Sequence, residues 1–131
     1  MENSDTDGKS AAPLAGVRAL IVEDEYLLAL LLEDELRAAG CSIADTVGGL
    51  EGARQAASRA DFNVALLDIN LSGELVYPFA DELAALGIPF VFLSGYAVGN
   101  FPERFRSRPR VAKPYELGEL IREISRSLGG R

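Results

Sequence analysis

Acidic, hydroxyl and basic side chains follow successive apolar segments of this sequence. The five residues are Glu23, Asp24, Asp68, Ser94 and Lys113. Carboxylates can hold a hard divalent cation, and an ammonium or a hydroxyl group can stabilise the charge on a phosphoryl group. These residue types therefore suit metal-assisted phosphoryl chemistry, provided that the fold brings the five side chains together.

The segment that ends at Asp68 has the pattern of a buried strand. Residues 64–67 are apolar without interruption, as expected of a strand that is covered on both faces. In an open parallel sheet, the ligand crevice lies beyond the carboxyl ends of the strands. Asp68 is therefore expected to face a cleft and not the core.

Segments that suit strands alternate with segments that suit helices along the chain. We predict strands at residues 17–22, 42–47, 64–70, 88–93 and 110–112. We predict helices at about residues 25–39, 50–59, 77–86 and 117–128, and a loop with a short helix at residues 97–108. This alternation predicts an α/β fold, a (βα)5 doubly wound sheet of five parallel strands of the flavodoxin-like type, with strand order 2-1-3-4-5.

The chain of 131 residues is long enough for one domain with one core. Residues 1–16 are small and polar, show no apolar period, and are predicted to form a disordered lead-in. The folded domain is expected at residues 17–129. On this division, no separate output domain fits in the chain.

Composition excludes several kinds of site. Histidine is absent and Cys41 is the only cysteine. An intrachain disulfide, a cysteine-based zinc site and a nucleophile activated by histidine are therefore excluded. The chemistry must use carboxylates, hydroxyl groups, lysine and the backbone.

The formal net charge of −7 argues against a nucleic-acid surface, which needs a basic patch. A small basic cluster does occur, and we interpret it as a solvated loop, with a binding patch as the alternative; it comprises Arg104, Arg106, Arg108 and Arg110. No apolar segment is long enough to span a membrane, and the start of the chain lacks the pattern of a signal peptide. The cytoplasm is the default location.

The predicted helix at residues 25–39 is unusually apolar. Residues 26–32 are apolar around most of the helix circumference, where one stripe would suffice. The helix could be buried by neighbours on two sides, or it could carry a partner-binding or dimer face. The sequence leaves both interpretations open.

In a parallel sheet, the five polar residues lie at one edge, and three carboxylates at that edge repel one another. A hard divalent cation, Mg²⁺ or Mn²⁺, would neutralise them. We expect Asp24 and Asp68 as direct ligands, Glu23 as a direct or water-mediated ligand, and the backbone carbonyl of Asn70 as a further ligand. Asp68 could then attack phosphorus and become an aspartyl phosphate, while Ser94 and Lys113 contact the transferred group.

From residue 17 to about residue 128, the sequence resembles the receiver domains of bacterial two-component response regulators. The resemblance depends on the acidic pair after the first strand, the aspartate of the third strand, the Ser94 hydroxyl and the Lys113-Pro114 pair, all in order. It implies that Asp68 is the phosphoacceptor, Glu23 and Asp24 bind the metal, Ser94 follows the phosphoryl group and Lys113 is its counter-ion. The bond before Pro114 is expected to be cis.

Two departures indicate a subgroup. After Asp68, the family usually has Met-Pro and then a glycine, whereas this chain has Asn70-Leu71-Ser72-Gly73. Three residues before the lysine, the family has an aromatic switch residue, whereas this chain has Arg110. Residues 89–96 and Lys113-Pro114-Tyr115 resemble the FAT GUY receivers, which often work with sensor histidine kinases of the HWE or HisKA2 type. Tyr96 is the candidate switch residue, although it could also be a packing residue.

The resemblance predicts a single-domain response regulator of a phosphorelay, which is not an enzyme beyond catalysing its own phosphorylation and dephosphorylation. It would take a phosphoryl group from a kinase and then signal to an unknown downstream protein or act as a phosphate sink. One alternative is a pseudo-receiver that binds proteins without phosphorylation. A phosphatase is a second alternative, but Asn70 cannot supply the second acid that such enzymes use.

Overall fold

The computed structural model describes residues 12–59, 61–95 and 101–129. In chain order, its elements are β1 (Arg18–Val22), α1 (Tyr26–Ala38), β2 (Ser42–Val47), α2 (Leu50–Arg59), β3 (Val64–Asp68), β4 (Asn70–Leu71), β5 (Glu74–Leu75), α3 (Tyr77–Ala85), β6 (Phe90–Ser94), a 3-10 helix (Glu103–Phe105), β7 (Arg110–Ala112) and α4 (Leu117–Ser127). No helix within these ranges is long and apolar enough to cross a membrane.

Five of the strands form one parallel sheet. Their order is β2-β1-β3-β6-β7, which confirms the predicted flavodoxin-like order once the two short strands β4 and β5 are set aside. Val22 pairs with both Val47 and Leu67, and Asp68 pairs with Leu93. The carboxyl ends of the central strands are therefore in register at one edge of the sheet.

The core lies on both faces of the sheet. Every residue of β3 and β6 is buried, which explains why these strands are apolar without alternation. Side chains of α1 and α4, such as Leu36 and Ile124, belong to the cluster on one face. Side chains of α2 and α3, such as Ala53 and Phe79, belong to the cluster on the other face.

The N-terminal boundary differs from the prediction. Residues 12–16, which were assigned to the lead-in, form a turn in which Leu14 is fully buried. The backbone N–H of Leu14 donates to the carbonyl of Ala39 at 2.9 Å. The packed unit therefore begins at least five residues before residue 17, because one leucine and one backbone hydrogen bond fasten this turn to the end of α1. Residues 1–11 lie outside the described residues.

One predicted connection also differs, and another agrees with the structure. Strand β3 ends at Asp68, and the predicted loop after residue 70 is instead a hairpin in which β4 pairs with β5. Between β6 and β7, the described residues 101–109 contain the 3-10 helix, as expected of the predicted loop with a short helix. The other four predicted helices correspond to α1, α2, α3 and α4.

Helix α1 is covered on one side only. Ala29, Leu32 and Leu36 are buried against the sheet. Tyr26 and Leu27 are 73% and 74% exposed, and Leu30 and Leu31 are also exposed. The interpretation that neighbours bury this helix on two sides is therefore wrong for the part of the chain that the structure describes, and the alternative of a partner-binding or dimer face stays a prediction.

Candidate functional site

The three acids meet at the carboxyl edge of the sheet. Glu23 and Asp24 follow β1, and Asp68 is the last residue of the neighbouring strand β3. One carboxylate oxygen from each acid lies within 4.8 Å of those of the other two. Glu23 and Asp68 are buried, whereas Asp24 is exposed. The structure therefore brings together the acids that the sequence assigns to a metal site.

Lys113 enters the same site from the end of β7. Its Nζ donates to Glu23 Oε1 at 2.9 Å and lies 3.5 Å from Asp68 Oδ1. The ammonium group thus bridges the two buried acids. The Lys113–Pro114 peptide bond is cis, as the resemblance implied.

Burial and like charge act on Asp68. Desolvation by burial, followed by the charge of Glu23, raises the pKa of Asp68 from 3.8 to about 6, while the Lys113 ammonium opposes this rise. For Lys113, burial lowers the pKa, but the hydrogen bond that Lys113 donates to Glu23 and the charges of Asp68 and Glu23 outweigh burial and raise it. The lysine therefore stays charged, and its single charge faces three acids.

The donor set fits a hard divalent cation. Three carboxylates and one ammonium leave an excess of negative charge, and the carboxylate oxygens lie within the spacing that one ion can bridge. Oxygen ligands without histidine or cysteine suit Mg²⁺ or Mn²⁺ better than zinc. Burial and the charge of Glu23 make the charged form of Asp68 unfavourable, and a bound cation would offset this cost by its positive charge.

Ser94 ends β6 beside the lysine. It is buried, it pairs in register with Ala112, and its backbone carbonyl accepts the N–H of Lys113 at 2.6 Å. The strand pairing therefore places Ser94 and Lys113 next to each other above Asp68, which pairs with the residue preceding Ser94. Tyr96, the candidate switch residue, lies outside the described residues, so its role remains a prediction.

Asn70 opens the β4–β5 hairpin. Its side-chain Oδ1 accepts the backbone N–H of Gly73 at 2.6 Å, so the amide group closes the turn. The role of its backbone carbonyl as a metal ligand remains a prediction. The hairpin also carries a contact that the sequence did not reveal, because Ser72 Oγ donates a hydrogen bond to Asp24 Oδ2.

Comparisons with known proteins identify relatives of this arrangement. No family model matches the chain, and no curated protein matches it. Among solved structures, SdrG from Sphingomonas melonis Fr1 is 37% identical with a TM-score of 0.77, and the match covers 88% of this chain and 98% of that one. The BeF3-activated conformation of SdrG from Pseudomonas melonis Fr1 is 35% identical with a TM-score of 0.73, covering 87% and 97%.

A third similar structure is the receiver domain of a response regulator. The PhyR response regulator REC domain of Erythrobacter litoralis is 29% identical with a TM-score of 0.73, and the match covers 87% of this chain and 91% of that one. This chain is a response regulator receiver domain. The resemblance stated from the motifs is therefore confirmed, while the assignment to the FAT GUY subgroup remains a prediction.

An aromatic cluster supports the strand that carries Ser94 in this receiver. The Phe92 ring packs edge to face with those of Tyr77, Phe101 and Phe105, at centroid distances of 6.0, 5.4 and 5.2 Å. The cluster lies in the region where β6, α3 and the 3-10 helix meet. It holds β6 from the face opposite to α1 and α4.

The basic cluster rests on these aromatic residues. The guanidinium groups of Arg104, Arg108 and Arg110 lie 4.6, 4.6 and 4.2 Å from the centroids of the Phe105, Phe90 and Phe101 rings, respectively. Arg104 also pairs with Asp81 at 2.8 Å. Arg104 and Arg110 are exposed and Arg108 is half-buried, which fits the interpretation of a solvated loop, and the aromatic rings support the three guanidinium groups from below.

Two grooves flank the exposed face of α1. A groove of about 430 Å³ is lined by Leu28, Leu31 and Glu35 of α1 and by Lys113, Pro114 and Tyr115. A second groove, of about 310 Å³, includes Glu23, Asp24 and Tyr26. The first groove therefore reaches the site through Lys113, and the second reaches it through Glu23 and Asp24.

Proposed function

We propose that this receiver accepts a phosphoryl group on Asp68 from a sensor histidine kinase, in a reaction that depends on Mg²⁺ or Mn²⁺. The observation that carries the proposal is the position of Asp68 between an acidic pair and a lysine. Its carboxylate is within 4.8 Å of those of Glu23 and Asp24, and its Oδ1 lies 3.5 Å from Lys113 Nζ. A nucleophilic carboxylate, a cation site and a fixed ammonium are the parts that phosphoryl transfer needs.

The residues of the site have three roles: they bind the cation, attack phosphorus or contact the phosphoryl oxygens. Glu23, Asp24, Asp68 and the backbone carbonyl of Asn70 would hold the cation, which when bound would neutralise the acids and ligate phosphoryl oxygens. An oxygen of Asp68 attacks phosphorus while the bond from phosphorus to the imidazole nitrogen of the kinase breaks. Lys113 pairs with the anionic oxygens, and the Ser94 hydroxyl donates to one of them. The product is an aspartyl phosphate.

The raised pKa of Asp68 supports this role. A carboxylate that is buried next to another acid is destabilised in its charged form. A protein that used the fold only as a static module would gain stability by replacing this acid. The pseudo-receiver alternative leaves the charge cluster without a purpose, so the phosphoacceptor is favoured.

The exposed face of α1 supports a protein partner beside the site. Tyr26, Leu27 and Leu31 are exposed, and the two grooves at the edges of α1 reach residues of the acidic site. A kinase domain that presents its phosphorylated histidine to Asp68 would cover this face. We propose a kinase of the HWE or HisKA2 type and a cytoplasmic location. The signal would then leave through an unidentified downstream protein or a homodimer, or end in a phosphate sink.

The decisive experiment is intact-mass analysis after incubation with acetyl phosphate, with and without Mg²⁺. We expect the wild-type protein to gain one phosphoryl group only when Mg²⁺ is present, and Asp68→Ala to gain none. Asp34→Ala is the matched control, because Asp34 is an exposed acid of α1. It should be labelled like the wild type.

Other outcomes would change the assignment. Label on Asp68→Ala would show that another residue is the acceptor. A wild-type protein that gains no phosphoryl group, while circular dichroism shows that it is folded, would favour the pseudo-receiver. Labelling without Mg²⁺ at an unchanged rate would remove the cation from the mechanism.

A further inference from the structure

Ser72 contacts the acidic site from the tip of the β4–β5 hairpin. Its Oγ donates a hydrogen bond to Asp24 Oδ2, and the two residues are 48 positions apart in the sequence. Asp24 is exposed and makes no ion pair within the described residues. The Ser72 hydroxyl is therefore the side-chain group that holds this carboxylate in the described structure.

The hairpin fixes the position of Ser72. Asn70 pairs with Leu75, Leu71 pairs with Glu74, and the Asn70 side chain accepts the N–H of Gly73. Leu71 is buried, which anchors the hairpin on the core. The strand pairing, the turn hydrogen bond and the buried Leu71 therefore fix the conformation of the hairpin tip and hold the Ser72 hydroxyl near Asp24.

The backbone of Ser72 also has a special conformation. Its φ of 55° lies in the left-handed region, and it is the one non-glycine residue with a positive φ among the residues that the structure describes. This conformation is disfavoured for most side chains, and asparagine and glycine tolerate it best. A serine here retains a hydroxyl group at a position where glycine would relieve the backbone.

We propose that Ser72 is a positioning residue for the divalent cation. By holding Asp24 Oδ2, its hydroxyl group sets the orientation of a carboxylate that has one oxygen within 4.8 Å of carboxylate oxygens of Glu23 and Asp68. This inference rests on the cation site proposed above. Hydrogen-bond partners of ligating carboxylates typically change metal affinity about 10- to 100-fold when they are removed.

The test measures the Kd of Mg²⁺ directly, by isothermal titration calorimetry of the unphosphorylated protein. Ser72→Gly removes the hydroxyl group without a backbone penalty, and we expect its Kd to rise about tenfold or more. Ser72→Asn keeps a donor and tolerates the left-handed backbone, so it should recover part of the affinity. Leu75→Ala is the control, because Leu75 is an exposed, uncharged residue of the same hairpin, and its Kd should equal that of the wild type.

The outcomes separate this inference from the proposed function. Equal Kd values for the wild type and Ser72→Gly would overturn the role of Ser72 and leave the cation site intact. Tighter binding by Ser72→Gly would also overturn it, because the hydroxyl group would then compete with the cation. If the wild type binds no Mg²⁺, both the inference and the cation site fail. Loss of affinity in Ser72→Gly without loss of thermal stability in the absence of Mg²⁺ would exclude a merely structural role.

Discussion

Replacing Asp68 by asparagine is expected to stabilise the protein against unfolding when no divalent cation is present. The substitution keeps the shape of the side chain and removes its charge. Burial and the neighbouring Glu23 raise the pKa of Asp68 from 3.8 to about 6 even though Lys113 opposes this rise. The folded protein therefore holds the charged carboxylate less favourably than the unfolded chain does.

The magnitude follows from the difference between the two pKa values. Each pKa unit corresponds to about 1.4 kcal/mol, so a difference of about two gives an upper value of roughly 3 kcal/mol. Loss of the contact with Lys113 and local relaxation reduce this value, and we expect about 1 to 3 kcal/mol, or roughly 3 to 10 °C in Tm.

The effect should depend on pH in a defined direction. Because the pKa of Asp68 is raised in the folded state, its favourable contribution to wild-type stability is complete below pH 3.8 and is lost as the pH rises through about 6. The advantage of Asp68→Asn should therefore be small near pH 4 and complete near pH 8. Saturating Mg²⁺ should reduce the advantage at pH 8, because the cation stabilises only the wild-type carboxylate.

Urea unfolding at pH 4, 6 and 8, followed by circular dichroism, measures this difference. Asp34→Asn makes the same chemical change at an exposed position and should alter the free energy of unfolding by less than about 0.5 kcal/mol at each pH. A loss of stability in Asp68→Asn at pH 8, or the same gain at pH 4 and pH 8, would refute the electrostatic reasoning.

Three further predictions concern residues away from Asp68. Tyr77→Phe should raise the free energy of unfolding by up to about 1 kcal/mol, because the buried Tyr77 hydroxyl has no hydrogen-bond partner among the described residues; a clear loss in urea unfolding would contradict this. The buried Cys41 thiol, whose pKa burial raises to about 11, should not react with a thiol reagent at pH 8 until the protein is unfolded, so rapid native labelling would contradict its burial. Leu27→Ala on the exposed face of α1 should change stability by less than about 0.5 kcal/mol, whereas Leu32→Ala on the buried face should cost about 2 to 5 kcal/mol. Similar losses for the two leucines would mean that the exposed face is covered.

Local patterns were sufficient to predict the fold. Strands that are buried on both faces must be apolar without alternation, and β3 and β6 show this pattern. Parallel strands bring their carboxyl ends to one edge, so an acid or lysine directly after a strand is assigned to that edge without knowledge of the packing. This reasoning placed Asp68 and Lys113 in one site, where they lie 3.5 Å apart.

Features that depend on contacts between distant residues could be seen only in the folded chain. Because α1 is apolar around most of its circumference, its pattern could not show whether a second neighbour covers it, and Leu27 proved to be exposed. Likewise, residues 12–16 show no apolar period, so the sequence gave no sign that Leu14 fills a place in the core.

The hairpin after Asp68 is a further feature that local sequence could not predict, and it lies at the site itself. A Ser-Gly pair in a polar segment predicts a turn, but the hydrogen bond from Ser72 to Asp24 joins residues 48 positions apart. Such a contact depends on the angle at which the hairpin leaves the sheet, and local propensity does not encode that angle. Local sequence was enough to assign side chains to the edge of the sheet, because strand direction and side-chain type are local properties. Their orientation there is decided by packing, because it depends on neighbours that only the folded chain brings together.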